Sequence, residues 1–123
     1  MFELTVEIQF SAAHRIEGHP GPCAHLHGHN YHVAVTVAGD QLGNQGMLLD
    51  FGRLKDICRE IIDPLDHSFL NDLPPFSSTN PSAEALAQHI FQGVAAKLPS
   101  DTGIRLARVT VRESDTSAAT YSE

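Results

Sequence analysis

Residues 2–14 alternate without a break. Phe2, Leu4, Val6, Ile8, Phe10 and Ala12 fall on one side, and Glu3, Thr5, Glu7 and Gln9 on the other. A period of two belongs to a strand half buried against a core. A second run carries His27, His29, Tyr31, Val33, Val35 and Val37 on one side, with smaller or polar residues between. Antiparallel pairing through the loop 15–26 sets the end of the first strand beside the start of the second. His14 closes the apolar face of one strand, while His27 and His29 open that of the other. Three imidazoles therefore converge at one end of the core. Such a set suits zinc, which takes nitrogen ligands tetrahedrally and keeps a fourth position open when catalytic.

The length of 123 residues, without repeats or a shift in composition, predicts one domain over 1–123. Apolar residues at 41% and charged residues at 19% describe an ordinary soluble protein. No apolar run is long enough to span a membrane, and MFELTVEIQF reads as a strand rather than a signal peptide. A cytoplasmic home is expected. Cys23 and Cys58 make no disulfide framework. A net charge of −7 argues against a general binder of nucleic acid or anionic membranes. It leaves room for a small anionic substrate held by local cations.

Beyond the hairpin, Gly39, Gly43 and Gly46 mark a turn region. Asp50 is placed to cap a helix from about Phe51 to Ile62, with a stripe of Phe51, Leu54, Ile57, Cys58, Ile61 and Leu65. Pro64 marks its end, and 65–79 reads as a loop. A second helix opens at Asn80-Pro81-Ser82 and stops at Pro99, burying Leu86, Ile90, Phe91 and Val94. A third strand, roughly Ile104 to Glu113, puts Ala107, Val109, Val111 and Glu113 on one face. A short fourth strand is expected near Thr120 to Ser122. The predicted class is α+β: a β-β-α-α-β-β antiparallel sheet with two helices on one face. Its open edges favour a homo-oligomer joined edge to edge.

The metal reading has two forms. The two-residue step in Cys23-Ala24-His25-Leu26-His27-Gly28-His29 permits a set of His25, His27 and His29. His14 is preferred as the third ligand because it lies on the inward face of the paired strand, whereas His25 falls in the loop. Cys23 also has two readings: a fourth ligand would close the site as a structural one, and a thiol beside the metal would serve as base or nucleophile. Asp66-His67 offers a carboxylate–imidazole pair for proton transfer. Glu113 ends an inward face, where a carboxylate needs a partner. A ligand with a cyclic amidine edge would supply two donors, and Arg112 or Arg105 is the plainer choice. Arg15 is a candidate phosphate contact. Cys58 fits the core stripe, and His19, His32 and His89 suit the surface or an interface.

Together, Phe10-Ser11-Ala12-Ala13-His14-Arg15, Cys23-x3-His27-Gly28-His29, Gly46-Met47-Leu48-Leu49-Asp50-Phe51, Leu65-Asp66-His67 with Leu70-Asn71-Asp72, Asn80-Pro81-Ser82-Ala83-Glu84 and Val111-Arg112-Glu113 resemble the 6-pyruvoyltetrahydropterin synthase family. The three-residue gap between Cys23 and His27 resembles its 6-carboxy-5,6,7,8-tetrahydropterin synthase branch. That resemblance implies a T-fold (tunnelling fold), trimers stacked as a homohexamer, and active sites between subunits. It implies Zn2+ on His14, His27 and His29, with Cys23 as the catalytic thiol. Asp66 and His67 would be a proton relay, acting in a neighbouring subunit's site, and Glu113 the anchor of the pterin edge. Ser82-Ala83 stands where the family often has Thr-Ser, which keeps a hydroxyl for the substrate, and His25 beside the ligands is unusual. The implied reaction is a lyase step from 7,8-dihydroneopterin triphosphate to 6-carboxy-5,6,7,8-tetrahydropterin, acetaldehyde and triphosphate, toward 7-deazaguanine compounds and queuosine. Formation of 6-pyruvoyltetrahydropterin is the nearest alternative, and a non-catalytic zinc protein the more distant one.

Overall fold

The computed structural model describes residues 1–100 and 102–123. Strands β1 (Phe2–His14) and β2 (His27–Gly39) pair antiparallel over their whole length, with His14 opposite His27 and Ala12 opposite His29. Helix α1 (Phe51–Ile62) starts at Asp50, whose carboxylate accepts the Arg53 N–H. Helix α2 (Ala83–Lys97) starts at Ser82, whose hydroxyl accepts the Ala85 N–H. Both caps satisfy amide groups that a helix start otherwise leaves unpaired.

The sheet has five strands rather than four, in the order β3-β1-β2-β4-β5, and it is mixed rather than purely antiparallel. The additional strand is β3 (Ser68–Phe69), which runs parallel to Ala12 and Ala13 of β1. Around it, the segment expected as loop folds into three short 3-10 turns, at Asp63–Leu65, Leu70–Asp72 and Pro74–Phe76. Pro64 opens the first of these instead of ending structure outright, and Leu65 is buried there.

Strands β4 (Arg105–Ser114) and β5 (Ser117–Tyr121) complete the sheet, so the last strand begins earlier than expected. Two register shifts in β4 matter. Thr36 faces Arg108 while Val37 faces Leu106, so Ala107 is an extra residue and Leu106, not Ala107, is buried. Near the other end, Arg112 faces Ala118 while Ser114 faces Ser117, which leaves Glu113 without a partner on β5. A bulge re-aims a side chain and interrupts pairing, and Glu113 sits on one.

The inward faces of β1, β2 and β4 pack against α1 and α2. Phe10, Tyr31, Val33, Val35, Val109 and Val111 meet Leu54, Cys58, Ile62, Leu86, Ile90 and Val94 in one core. Burial pushes the Cys58 thiol up to about 12, so it is an inert core group. Phe51 departs from its expected stripe and is 55% exposed; the buried face of α1 begins at Leu54. Among the described residues, no helix is long and apolar enough to cross a membrane.

Candidate active site

Register alone assembles the histidines. His14 and His27 are a cross-strand pair, and His29 lies one inward position further along β2. Ring centroids are 4.6 Å apart for His14–His27, 5.1 Å for His14–His29 and 4.9 Å for His27–His29. One nitrogen from each ring lies within 4.8 Å of the others, the spacing of three ligands about one ion.

The ring orientations fit a metal. Nδ1 of His14 stands 2.7 Å from the Pro81 carbonyl, and Nδ1 of His27 stands 2.7 Å from the His25 carbonyl. A carbonyl only accepts, so each Nδ1 carries the proton and each Nε2 presents a lone pair. Those two Nε2 atoms face each other at 3.0 Å. Nε2 of His29 is buried with no hydrogen-bond partner among the described residues. Two lone pairs facing each other beside a third, unpartnered ring nitrogen are what a cation satisfies. His14 is 1% exposed. Burial pulls its ring below the ordinary histidine value, against the Pro81 contact, so the neutral ligand form is favoured.

The cluster forms one wall of a cleft of about 500 Å³, shared with Cys23, Ser82 and Glu113. Cys23 is exposed and stands outside the three-residue ligand set. It lies in the 3-10 turn Pro22–Ala24. The alternative set through His25 fails: that residue contributes its carbonyl to orient His27, and His14 takes the third place. The Glu113 carboxylate lies 3.9 Å from His14 Nε2 and 4.0 Å from His29 Nε2. Neither arginine serves it. Arg112 reaches back to the Asp115 carbonyl, and Arg105 reaches the sulfur of Met1. Glu113 therefore presents free acceptors to the cleft. The Ser82 hydroxyl lines the cleft while capping α2.

Asp66 and His67 form their pair, Oδ2 to Nδ1 at 2.9 Å, but not in this cleft. They sit beside β1, where His67 shares a shallow depression with Ser11, Gly28, Asn30 and His29, the last of which also lines the cleft. The Ser11 amide, and then the His67 ring, hold the Asp66 carboxyl below its usual value. His67 has a φ of 54°, the only positive value at a non-glycine among the described residues. Such backbone is costly without a reason to hold it. Arg15 lies outside the cleft lining and reaches Glu17 at 3.7 Å.

Four contributors escaped the sequence reading: the Pro81 and His25 carbonyls, and the side chains of Asn71 and Asn80. Asn80 bonds both backbone groups of Glu17, the Pro81 carbonyl orients His14, and Ser82 caps α2. Three consecutive residues thus join the loop, a ligand and a helix. The sequence signal was the Asn-Pro-Ser cap, which reports only the last.

A model of the 6-pyruvoyl tetrahydropterin synthase family matches residues 3–123. The 6-carboxy-5,6,7,8-tetrahydropterin synthase of Haemophilus influenzae is 31% identical, with all of both chains covered. That of Bacillus subtilis is 37% identical over 98% of this chain and 84% of its own. That of Synechocystis sp. is 39% identical over 98% and 93%. Among solved structures, the 6-pyruvoyl tetrahydropterin synthase of Caenorhabditis elegans superposes with a TM-score of 0.85 at 29% identity, covering 100% of this chain and 97% of its own. The fold is the T-fold of that structure. Fold and sequence agree across the whole length, and the chain belongs to the 6-pyruvoyl tetrahydropterin synthase family of enzymes.

Proposed function

We propose that the protein is a zinc-dependent lyase converting 7,8-dihydroneopterin triphosphate to 6-carboxy-5,6,7,8-tetrahydropterin, with release of acetaldehyde and triphosphate. The observation that carries this reading is an exposed thiol beside, but outside, a three-imidazole site: Cys23 shares the cleft with His14, His27 and His29. Relatives that share 31–39% of the sequence carry the 6-carboxy-5,6,7,8-tetrahydropterin synthase name. Three imidazole nitrogens are a set zinc accepts with a fourth position open. When bound, zinc supplies Lewis-acid polarisation of the substrate's side-chain hydroxyls.

The chain's own groups divide the remaining work. Glu113 accepts from the pterin's amino-pyrimidinone edge, fixing the ring in the cleft, and the Ser82 hydroxyl contacts the substrate beside it. Cys23, as thiolate, takes a proton from the substrate side chain. His67, oriented by Asp66, exchanges a second proton in a neighbouring subunit's cleft, since neither residue lines its own chain's cleft. Arg15 contacts the triphosphate from the rim. Open sheet edges suit such an assembly: β3 covers β1 only at Ala12 and Ala13, and among the described residues the outer edge of β5 has no partner strand. We assign a cytoplasmic homohexamer serving the route to 7-deazaguanine compounds and queuosine.

The test is incubation of the purified, zinc-loaded protein with 7,8-dihydroneopterin triphosphate and identification of products by mass. Acetaldehyde in step with a carboxy-tetrahydropterin is expected. Triphosphate release with 6-pyruvoyltetrahydropterin and no acetaldehyde would assign the other reaction of the family. In Cys23→Ala, turnover should fall by roughly 10²–10⁴ with zinc retained.

A further inference from the structure

Loop 15–26 carries Cys23, yet it has little core to hold it. None of its residues is buried, and only Ile16, Gly21 and Ala24 are even half-buried. Loops with few buried contacts open easily, whereas a thiol that removes a proton must be held within hydrogen-bonding reach of it. Backbone bonds near the thiol, from Ala24 N–H to Gly21 and from His25 N–H to Pro22, stay inside the loop's own turn. One bond ties that turn to the segment leaving β1: Ile16 N–H donates to the Cys23 carbonyl at 2.8 Å. What fixes Ile16 therefore fixes Cys23.

Two side-chain amides do this from the other side. Asn71 Oδ1 accepts the Arg15 N–H at 3.0 Å, and Asn71 Nδ2 donates to the Arg15 carbonyl at 3.0 Å. Asn80 repeats the pattern two residues on, accepting the Glu17 N–H and donating to the Glu17 carbonyl, each at 2.9 Å. Arg15 and Glu17 point their backbone groups one way and Ile16 the other, as in a strand. The two asparagines occupy the place of a partner strand, and Cys23 is paired on the opposite edge.

We infer that Asn71 and Asn80 are positioning residues that hold the reactive loop, and through Ile16 hold Cys23, at its station in the cleft. This rests on the reading of Cys23 as the reacting thiol. The side-chain bonds of both asparagines go to Arg15 and Glu17 backbone, and neither residue lines the cleft. Asn71 is the cleaner probe, because Asn80 precedes the Pro81 carbonyl that orients His14.

The experiment compares wild type with Asn71→Ala, and with Asn71→Asp, which keeps the acceptor for Arg15 N–H and loses the donor. The readouts are hydrogen exchange at the Ile16 amide, zinc content, melting temperature, and kcat and KM with 7,8-dihydroneopterin triphosphate. In Asn71→Ala, Ile16 exchange should quicken about tenfold, on the scale of one or two ordinary hydrogen bonds lost. Zinc content should hold, and kcat should fall about tenfold with KM moving less than about twofold. Asn71→Asp should fall between the two. If Asn71→Ala folds poorly, Asn71→Asp alone decides by its Ile16 exchange. Unchanged Ile16 exchange, or a loss of kcat matched by lost zinc, overturns the inference. A wild type inert toward the pterin triphosphate would sink the proposed reaction, while the exchange data still decide the clamp.

Discussion

Nε2 of His14 and Nε2 of His27 stand 3.0 Å apart across the β1–β2 pair, and a backbone carbonyl holds the far nitrogen of each ring. Two lone pairs at that distance repel until something positive lies between them. His29 adds a third nitrogen that is buried and unpaired. The hairpin register therefore sets the chemistry, and a slip by one residue would turn His27 and His29 to the outer face.

Removing the metal should cost stability. An ion that binds only the folded state adds about 3–4 kcal/mol when free at 100 to 1,000 times its Kd. Chelation should lower the melting temperature, and added zinc should restore it. His29→Leu should lose this response, yet match or exceed metal-free wild type in stability. An unpaired buried nitrogen costs about 1–3 kcal/mol, and the leucine removes it. Thermal unfolding with and without zinc checks both, and a zinc-dependent gain retained in His29→Leu would contradict the ligand assignment.

Glu113 sits on a bulge with its carboxylate 3.9 Å and 4.0 Å from two ligand rings and no arginine partner. Its oxygens remain free for two N–H donors. Glu113→Gln replaces one acceptor by a donor and removes the charge. At about 1.5–3 kcal/mol for charge-assisted bonds, KM should rise roughly ten- to a hundredfold, with kcat less affected. Steady-state kinetics on the pterin triphosphate read this directly, and an unchanged KM would remove Glu113 from the anchor role.

Acid should weaken the metal-free protein through its buried histidines. Burial lowers both His89, packed against Phe76 at 5.5 Å, and His14 from the usual 6.5. Each folded value lies below the unfolded one, so the unfolded chain binds more protons in that window. Their contribution is whole above about 6.5 and is lost as pH falls through the folded values. The urea midpoint of metal-free protein should drop between about pH 7 and pH 5. His89→Leu should flatten that slope, and an unaltered slope would exclude His89 as a source.

Helix packing gives an independent check of the fold. A Cβ on Gly93 of α2 would lie 2.8 Å from Ile61 Cδ1 and 2.9 Å from Ile61 Cγ2 on α1. Helix preference alone favours alanine by about 1 kcal/mol, and overpacking costs about 1–3 kcal/mol. Gly93→Ala should therefore destabilise by about 1 kcal/mol in urea unfolding; a stabilised variant would show that α1 and α2 lie further apart.

Regular periodicity made much of this legible in the sequence. The alternation over 2–14 and the run from His27 fix the hairpin, its register and the histidine cluster, because a strand's period leaves no freedom about faces. Parity carried Glu113 to the inward side but misplaced Ala107, since an extra residue in β4 leaves no local signal and turns Leu106 inward instead. Phe51 was misassigned because helical spacing gives a face without saying where along it contact with the sheet begins. The two-residue β3 is too short to have a period. Asn71 and Asn80 act through side-chain amides on backbone far away in sequence, which no repeat reports. The separation of Asp66-His67 from the cleft followed from the position of β3 on the far side of β1, and spacing along the chain cannot show it.

X-ray absorption at the zinc edge of the loaded protein tests the central arrangement most directly: three imidazoles holding one ion and a thiol left out. Wild type and Cys23→Ala should give the same first shell, nitrogen and oxygen at about 2.0–2.1 Å, with equal zinc content. A sulfur scatterer at about 2.3 Å in wild type, lost in Cys23→Ala, would make Cys23 a ligand and contradict its role as the reacting group.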